Sequence, residues 1–209
     1  MSGLHLKTVT GVRQIRWWRA IHNVDVTWDR QTGADGYEYK LETDSGKLVA
    51  QMITPLNTVT FKVDNKLVYK VSVRAYRDVE GVRMYSGWST TCYCMTQPAK
   101  KDTRELDAKV KRDKLRIKWE KVHGLDGYNV FVTTDKGGAF DKAKTVGPHE
   151  KAVFLDKVLG KKVRDDKIYF VYVEGFKNVD GVIHTTGLNY ITKVKKKKVE
   201  VLYYETDWK

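Results

Sequence analysis

The chain repeats itself. Val24-Asp25-Val26-Thr27-Trp28-Asp29 leads to Asp35-Gly36-Tyr37-Glu38-Tyr39, and Leu115-Arg116-Ile117-Lys118-Trp119-Glu120 leads to Asp126-Gly127-Tyr128-Asn129-Val130, 91 residues later. A second block, Tyr69 to Val82, matches Tyr169 to Val182 at an offset of 100 residues. Two blocks in the same order are the mark of a tandem duplication. The second copy therefore carries nine extra residues between its blocks, expected within 133–163, where Gly137-Gly138 and Gly147-Pro148 mark turns. A length of 209 residues is then two domains of ordinary size, each with its own core.

Period-2 alternation sets the fold class. Val24, Val26 and Trp28 share one face while Asp25, Thr27 and Asp29 share the other. Val71, Val73 and Ala75 alternate with Lys70, Ser72 and Arg74, and Leu115, Ile117 and Trp119 with Arg116, Lys118 and Glu120. Such segments are half-buried antiparallel strands. Asp35-Gly36, Glu80-Gly81, Asp126-Gly127 and Asp180-Gly181 read as the turns between them. Many short strands with regular turns predict an all-β protein of two β-sandwiches. Trp28 and Trp119 are expected to fill the two cores.

These residues resemble the fibronectin type III family twice over. The carriers are Trp28 and Trp119 on the second strand, Asp-Gly-Tyr at 35–37 and 126–128, and the alternating runs that begin at Tyr69 and Tyr169. Val63 and Val163 lie six residues before those tyrosines, at the spacing of the family's tyrosine corner. Tyr85-Ser86-Gly87-Trp88-Ser89 looks like the approach to the last strand in bacterial and phage versions of the module. The resemblance implies two tandem immunoglobulin-like sandwiches and places Tyr37, Tyr128, Tyr69 and Tyr169 in their cores. The expected organisation is an N-terminal arm (1–11), a first module (12–97), a linker (98–102), a second module (103–196) and a C-terminal arm (197–209). Pro98 and the polar run after it suit the linker.

The chemistry-bearing residues do not assemble into an enzyme's pattern. The five histidines have no His or Cys at zinc-ligand spacing, and no phosphate-binding loop or nucleophile elbow occurs. Cys92 and Cys94 fall on one strand, with both sulfurs on one face as core filler or free thiols. The expectation is no catalysis, no metal and no cofactor. No apolar run approaches the roughly 20 residues of a membrane helix, and residues 1–7 show no apolar signal segment.

Binding signals lie at the ends. The formal charge is +13, and the densest cationic run is Lys193 to Lys198. Its Lys195, Lys196, Lys197 and Lys198 are candidate contacts with an acidic protein surface. That partner is preferred over nucleic acid, since no aromatic stacking platform accompanies the run. Arg16, Trp17, Trp18 and Arg19 form a second candidate interface, because Trp and Arg are enriched at binding hot spots. Residues 12–19 are read as a strand, so Trp17 and Trp18 point to opposite faces. Leu4, Leu6 and Thr8 alternate in an arm suited to strand addition. Tyr203, Tyr204 and Trp208 would be sticky residues of the C-terminal arm. The expected function is a non-enzymatic assembly protein of a tailed-phage virion (capsid decoration, collar or tail), partnered by other protein subunits. The alternative is an adhesion or carbohydrate-binding module of a bacterial surface or secreted protein.

Overall fold

The computed structural model describes residues 6–208. The chain divides into two units, one ending at Met95 and the next beginning at Thr96. Each is an antiparallel two-sheet sandwich with the strand arrangement of the fibronectin type III module.

In the first module the strands are β1 (Arg13–Trp18), β2 (Asn23–Thr27), β3 (Gly36–Thr43), β4 (Leu48–Thr54), β5 (Thr58–Lys62), β6 (Tyr69–Val79), β7 (Val82–Tyr85) and β8 (Cys92–Cys94). One sheet runs β1-β2-β5; the other runs β4-β3-β6-β7, with β8 also on β6. The inward residues predicted by alternation form the core: Val24, Val26 and Trp28 face Tyr37, Tyr39, Leu41, Val71, Val73 and Ala75. The Tyr69 hydroxyl accepts the Asp64 amide at 2.8 Å with Val63 buried beside it, which is the expected tyrosine corner. Glu80 and Gly81 join β6 to β7 with φ of 49° and 79°, the left-handed pair of a two-residue hairpin turn.

The second module repeats this with β9 (Asp107–Lys111), β10 (Lys114–Lys118), β11 (Gly127–Thr133), β12 (Asp141–Val146), β13 (Ala152–Leu155), β14 (Lys157–Val158), β15 (Lys161–Lys162), β16 (Ile168–Val179), β17 (Val182–Thr185), β18 (Tyr190–Lys195) and β19 (Lys198–Tyr203). Its sheets run β13-β10-β9 and β12-β11-β16-β18-β19, with β17 also on β16. Tyr169 accepts the Arg164 amide at 2.8 Å, and Tyr128 accepts the Val122 amide at 3.0 Å as Tyr37 accepts that of Gln31 at 2.8 Å.

Gly36 and Gly127 differ from their expected role. They open β3 and β11 rather than supplying turns, and neither has a positive φ. A Cβ on Gly36 would lie 2.6 Å from the Tyr76 hydroxyl, and one on Gly127 would lie 2.6 Å from Phe176 Cζ. The bare backbone makes room for an aromatic ring from the neighbouring strand.

Most of the nine-residue insertion is a small hairpin. Val24 pairs with Phe61 and Leu115 with Leu155, so fifth strands remain equivalent. One residue then separates Phe61 from Val63, whereas residues 156–162 separate Leu155 from Val163 and fold as β14–β15. The first strands are offset by 93 residues rather than 91: Trp17 opposes Val24, and Val110 opposes Leu115. A single 3-10 turn at Arg19–Ile21 lengthens the β1–β2 connection, where Arg112 and Asp113 suffice in the second copy.

Three expected boundaries move. The segment read as a C-terminal arm is β19, paired with β18 through a turn at Lys196-Lys197, followed by a helical turn at Tyr204–Trp208. An apolar segment beside an open sheet edge is satisfied by that edge first. The linker residues, and Gln97 expected at the end of the first module, belong to the second: Gln97 accepts the Asn189 and Tyr190 amides at 2.8 and 3.0 Å, and Ala99 is buried. Of the N-terminal arm, Leu6 and Val9 pack on the first core, while Leu4 lies outside the described residues.

Candidate docking surfaces

The tryptophan–arginine cluster is largely consumed by its own module. Trp17 is buried, its Nε1 donates to Asn65 Oδ1 at 2.7 Å, and its ring lies 6.2 Å from that of Tyr69. Trp18, on the opposite face as expected, is half-buried, donates to Asp25 Oδ2 at 2.7 Å and carries the Arg16 guanidinium 4.5 Å above its ring. Arg19 is buried. Arg16 alone of the four is exposed.

The C-terminal aromatics divide in the same way. Trp208 is buried, stacked on Phe140 at 5.0 Å and edge-on to Phe170 at 4.9 Å. It is a core residue rather than a free anchor, because β19 carries it back over its own sheet. Tyr204 is half-buried, and Tyr203 is exposed but accepts a hydrogen bond from Arg104. Lys195, Lys196, Lys197 and Lys198 are all exposed, as expected.

A candidate docking element not anticipated from the sequence is the edge strand β4. It ends its sheet, so one side of its backbone is open. Leu48, Val49, Met52 and Ile53, with Leu56 just beyond, are 45–59% exposed. Edge strands are usually shielded by charge, proline or a bulge that twists them away. Here the sole such device within the strand is a bulge at the Leu41–Glu42 pairing. The equivalent edge in the second module, β12, carries exposed Lys142 and Lys144. A signal was present: residues 48–61 contain no charged residue, in a chain that is 31% charged.

Beside β4, the outer face of the sheet is stiffened by alternating rings and cations. The Arg74 guanidinium lies 3.8 Å from the Tyr85 ring centroid and 4.6 Å from that of Trp88. It pairs with Glu38 at 2.5 Å, and Gln51 of β4 donates to the same carboxylate at 2.7 Å. Ser86 and Ser89 accept the Ala75 and Val73 amides, which holds Trp88 over the strand. The free edge therefore sits on a rigid support.

The second module has an aromatic groove of about 420 Å3 lined by Phe131, Phe140, Tyr172, Tyr204 and Trp208. Phe131 and Tyr172 stack at 4.6 Å, and burial, with help from Glu174, pushes the Tyr172 hydroxyl well above the usual phenol range.

The two thiols share a face, with Sγ atoms 4.0 Å apart. Hydrogen bonding to Cys94 holds the Cys92 thiol below the usual range, while the same bond and burial push Cys94 above it. Among the described residues, no three His, Cys, Asp or Glu side chains converge as a metal site. No helix among them is long and apolar enough to cross a membrane.

No protein-family model matches the chain, and no curated protein matches it. Among solved structures it is similar to the FN1–FN3 domains of chicken contactin CNTN1, at 15% identity and a TM-score of 0.35, covering 96% of this chain and 68% of that one. It is also similar to a two-domain fibronectin type III segment of chicken tenascin, at 17% identity and a TM-score of 0.36, covering 93% of this chain and 98% of that one. Neither likeness bears on what this chain binds.

Proposed function

We propose that the chain is a non-enzymatic assembly protein of a tailed-phage virion, a capsid-decoration, collar or tail component built from two rigid sandwich modules. The observation that carries the docking role is the uncharged, exposed edge of β4. Its free amides and carbonyls take an extended segment of a neighbouring subunit as a further strand, and its apolar side chains supply the hydrophobic contact. The virion context follows from the resemblance to modules carried by phage structural proteins. Ile53→Lys places a charge on this exposed edge without touching the core. In an infection producing particles, that variant is expected to melt like the parent and to be absent from purified virions. Incorporation at the parental level would overturn the docking role, and absence of the parent chain from purified particles would overturn the virion reading.

The aromatic groove of the second module favours a second reading, a carbohydrate-binding module of a bacterial surface protein, because sugar rings stack on aromatic faces. Binding on a glycan array that is lost in Phe131→Ala would support this alternative.

A further inference from the structure

The structure brings together two basic segments that are far apart in the sequence. The β14–β15 hairpin supplies Lys161 and Lys162, the turn after it supplies Arg164 and Lys167, and the end of β18 supplies Lys195. All five line one cleft of about 540 Å3. Two carboxylates also line it. Asp166 is held in a two-pronged pair by Arg164, with both contacts at 2.9 Å, and Asp135 accepts from the Thr134 hydroxyl at 3.4 Å. Among the described residues, Lys161, Lys162 and Lys195 form no ion pair with a carboxylate, while Lys167 stands beside Asp166 and helps to hold that carboxyl below its usual range. Five cationic side chains against two carboxylates thus line one opening, a surplus of positive charge. The first module has no counterpart: a single residue, Lys62, stands where the hairpin is inserted, and its β8 ends at Cys94 without a lysine run.

We propose that this cleft binds a phosphate chain, the chemistry shared by a nucleic-acid backbone and free polyphosphate. This goes beyond the docking role of β4, which lies in the other module. Charge density selects phosphate. Same-face carboxylates along a strand stand about 6.6 Å apart, since each residue rises about 3.3 Å, whereas each strand of duplex DNA carries one charge per about 3.4 Å. The phosphate chain brings about twice as many anions into a cleft of this size. Lysine ammoniums are point charges with rotatable donors, suited to phosphate contact without a fixed fork geometry. The one ring in the lining, Tyr169, is buried with its hydroxyl bonded to the Arg164 amide, so no platform is offered for stacking a base. Recognition is therefore of the backbone and indifferent to sequence.

The test uses the full chain and a short labelled DNA duplex, read by fluorescence anisotropy across a salt series. Four lysine–phosphate contacts predict a log–log salt slope of about −3.6. Lys161→Gln/Lys162→Gln, on an exposed hairpin, should leave the melting temperature unchanged and flatten the slope by about two. Unlabelled tripolyphosphate should compete in the parent. Competition by tripolyphosphate with little duplex binding would support the cleft with free polyphosphate as its ligand. Absence of binding to both phosphate probes at low salt would overturn the proposal. So would an unchanged affinity and slope in the double variant, which would place binding elsewhere on a basic chain. Polyglutamate competing as well as tripolyphosphate would also overturn it, in favour of an acidic protein partner. If the double variant were to unfold, a chain with residues 156–162 replaced by one lysine, the length used in the first module, should show the same loss. Retained binding in that chain would overturn the assignment.

Discussion

Trp28 and Tyr37 meet edge to face with ring centroids 5.5 Å apart, and their counterparts Trp119 and Tyr128 meet in a tilted arrangement at 5.2 Å. Each tryptophan is almost wholly buried between its two sheets. Trp28→Ala and Trp119→Ala should each cost about 3–5 kcal/mol in the module that carries them. Scanning calorimetry should show one transition displaced or lost and the other retained. An unmoved thermogram would remove the tryptophan from the core.

The tyrosine corners offer a milder probe. Tyr69→Phe and Tyr169→Phe leave the ring in place but take the acceptor from the Asp64 and Arg164 amides. A loss of about 1–2 kcal/mol is expected in each module. Urea unfolding with an unchanged m-value would measure it, and a loss in only one module would break the equivalence of the two corners.

Gly36→Ala and Gly127→Ala should both destabilise, although neither glycine has a left-handed backbone. The added methyl meets the ring of Tyr76 or Phe176 and a backbone carbonyl, Thr54 O at 2.8 Å or Val146 O at 2.6 Å. Trimming the ring in the second module, Gly127→Ala with Phe176→Leu, should recover part of the loss. No recovery would mean that the carbonyl contact dominates.

Removal of residues 198–209 should destabilise the second module rather than merely disarm it. Trp208→Ala alone is expected to cost about 3 kcal/mol, or roughly 10–20 °C in the melting temperature of a module this size. A truncated chain that melts like the parent would show that β19 and Trp208 are dispensable for folding.

Thiol alkylation should follow an asymmetric pH profile. Cys92 ionises first because the Cys94 thiol donates to its sulfur, so its labelling begins below the usual thiol range while buried Cys94 stays protected. Cys94→Ala removes the donor, and the onset at Cys92 should move to higher pH. Equal labelling of both thiols, or no shift in the variant, would contradict the pairing.

The duplication, the alternation and the Trp and Tyr positions made the double sandwich legible without coordinates. Each of those signals is local or periodic: inward residues every second position, and identical blocks at fixed offsets. The tyrosine corners were legible for the same reason, since Val63 and Val163 stand at a set distance along the chain from their partners. Which segments remain open for docking was not a local matter. Trp17 looked available because Trp and Arg are enriched at binding hot spots, and Trp208 because it stood in an apolar, aromatic terminal segment. Tertiary structure gave Trp17 the Asn65 carbonyl and Tyr69 ring, and gave Trp208 a place against Phe140 and Phe170. The exposed edge emerged elsewhere, at β4, because a strand is an edge only by virtue of what fails to pair with it. The Lys193–Lys198 run was visible as charge; that Lys195 lines one cleft with Lys161 and Lys162 of the β14–β15 hairpin depended on the tertiary fold. Local periodicity determined what each segment is, and long-range pairing decided which surfaces were left over.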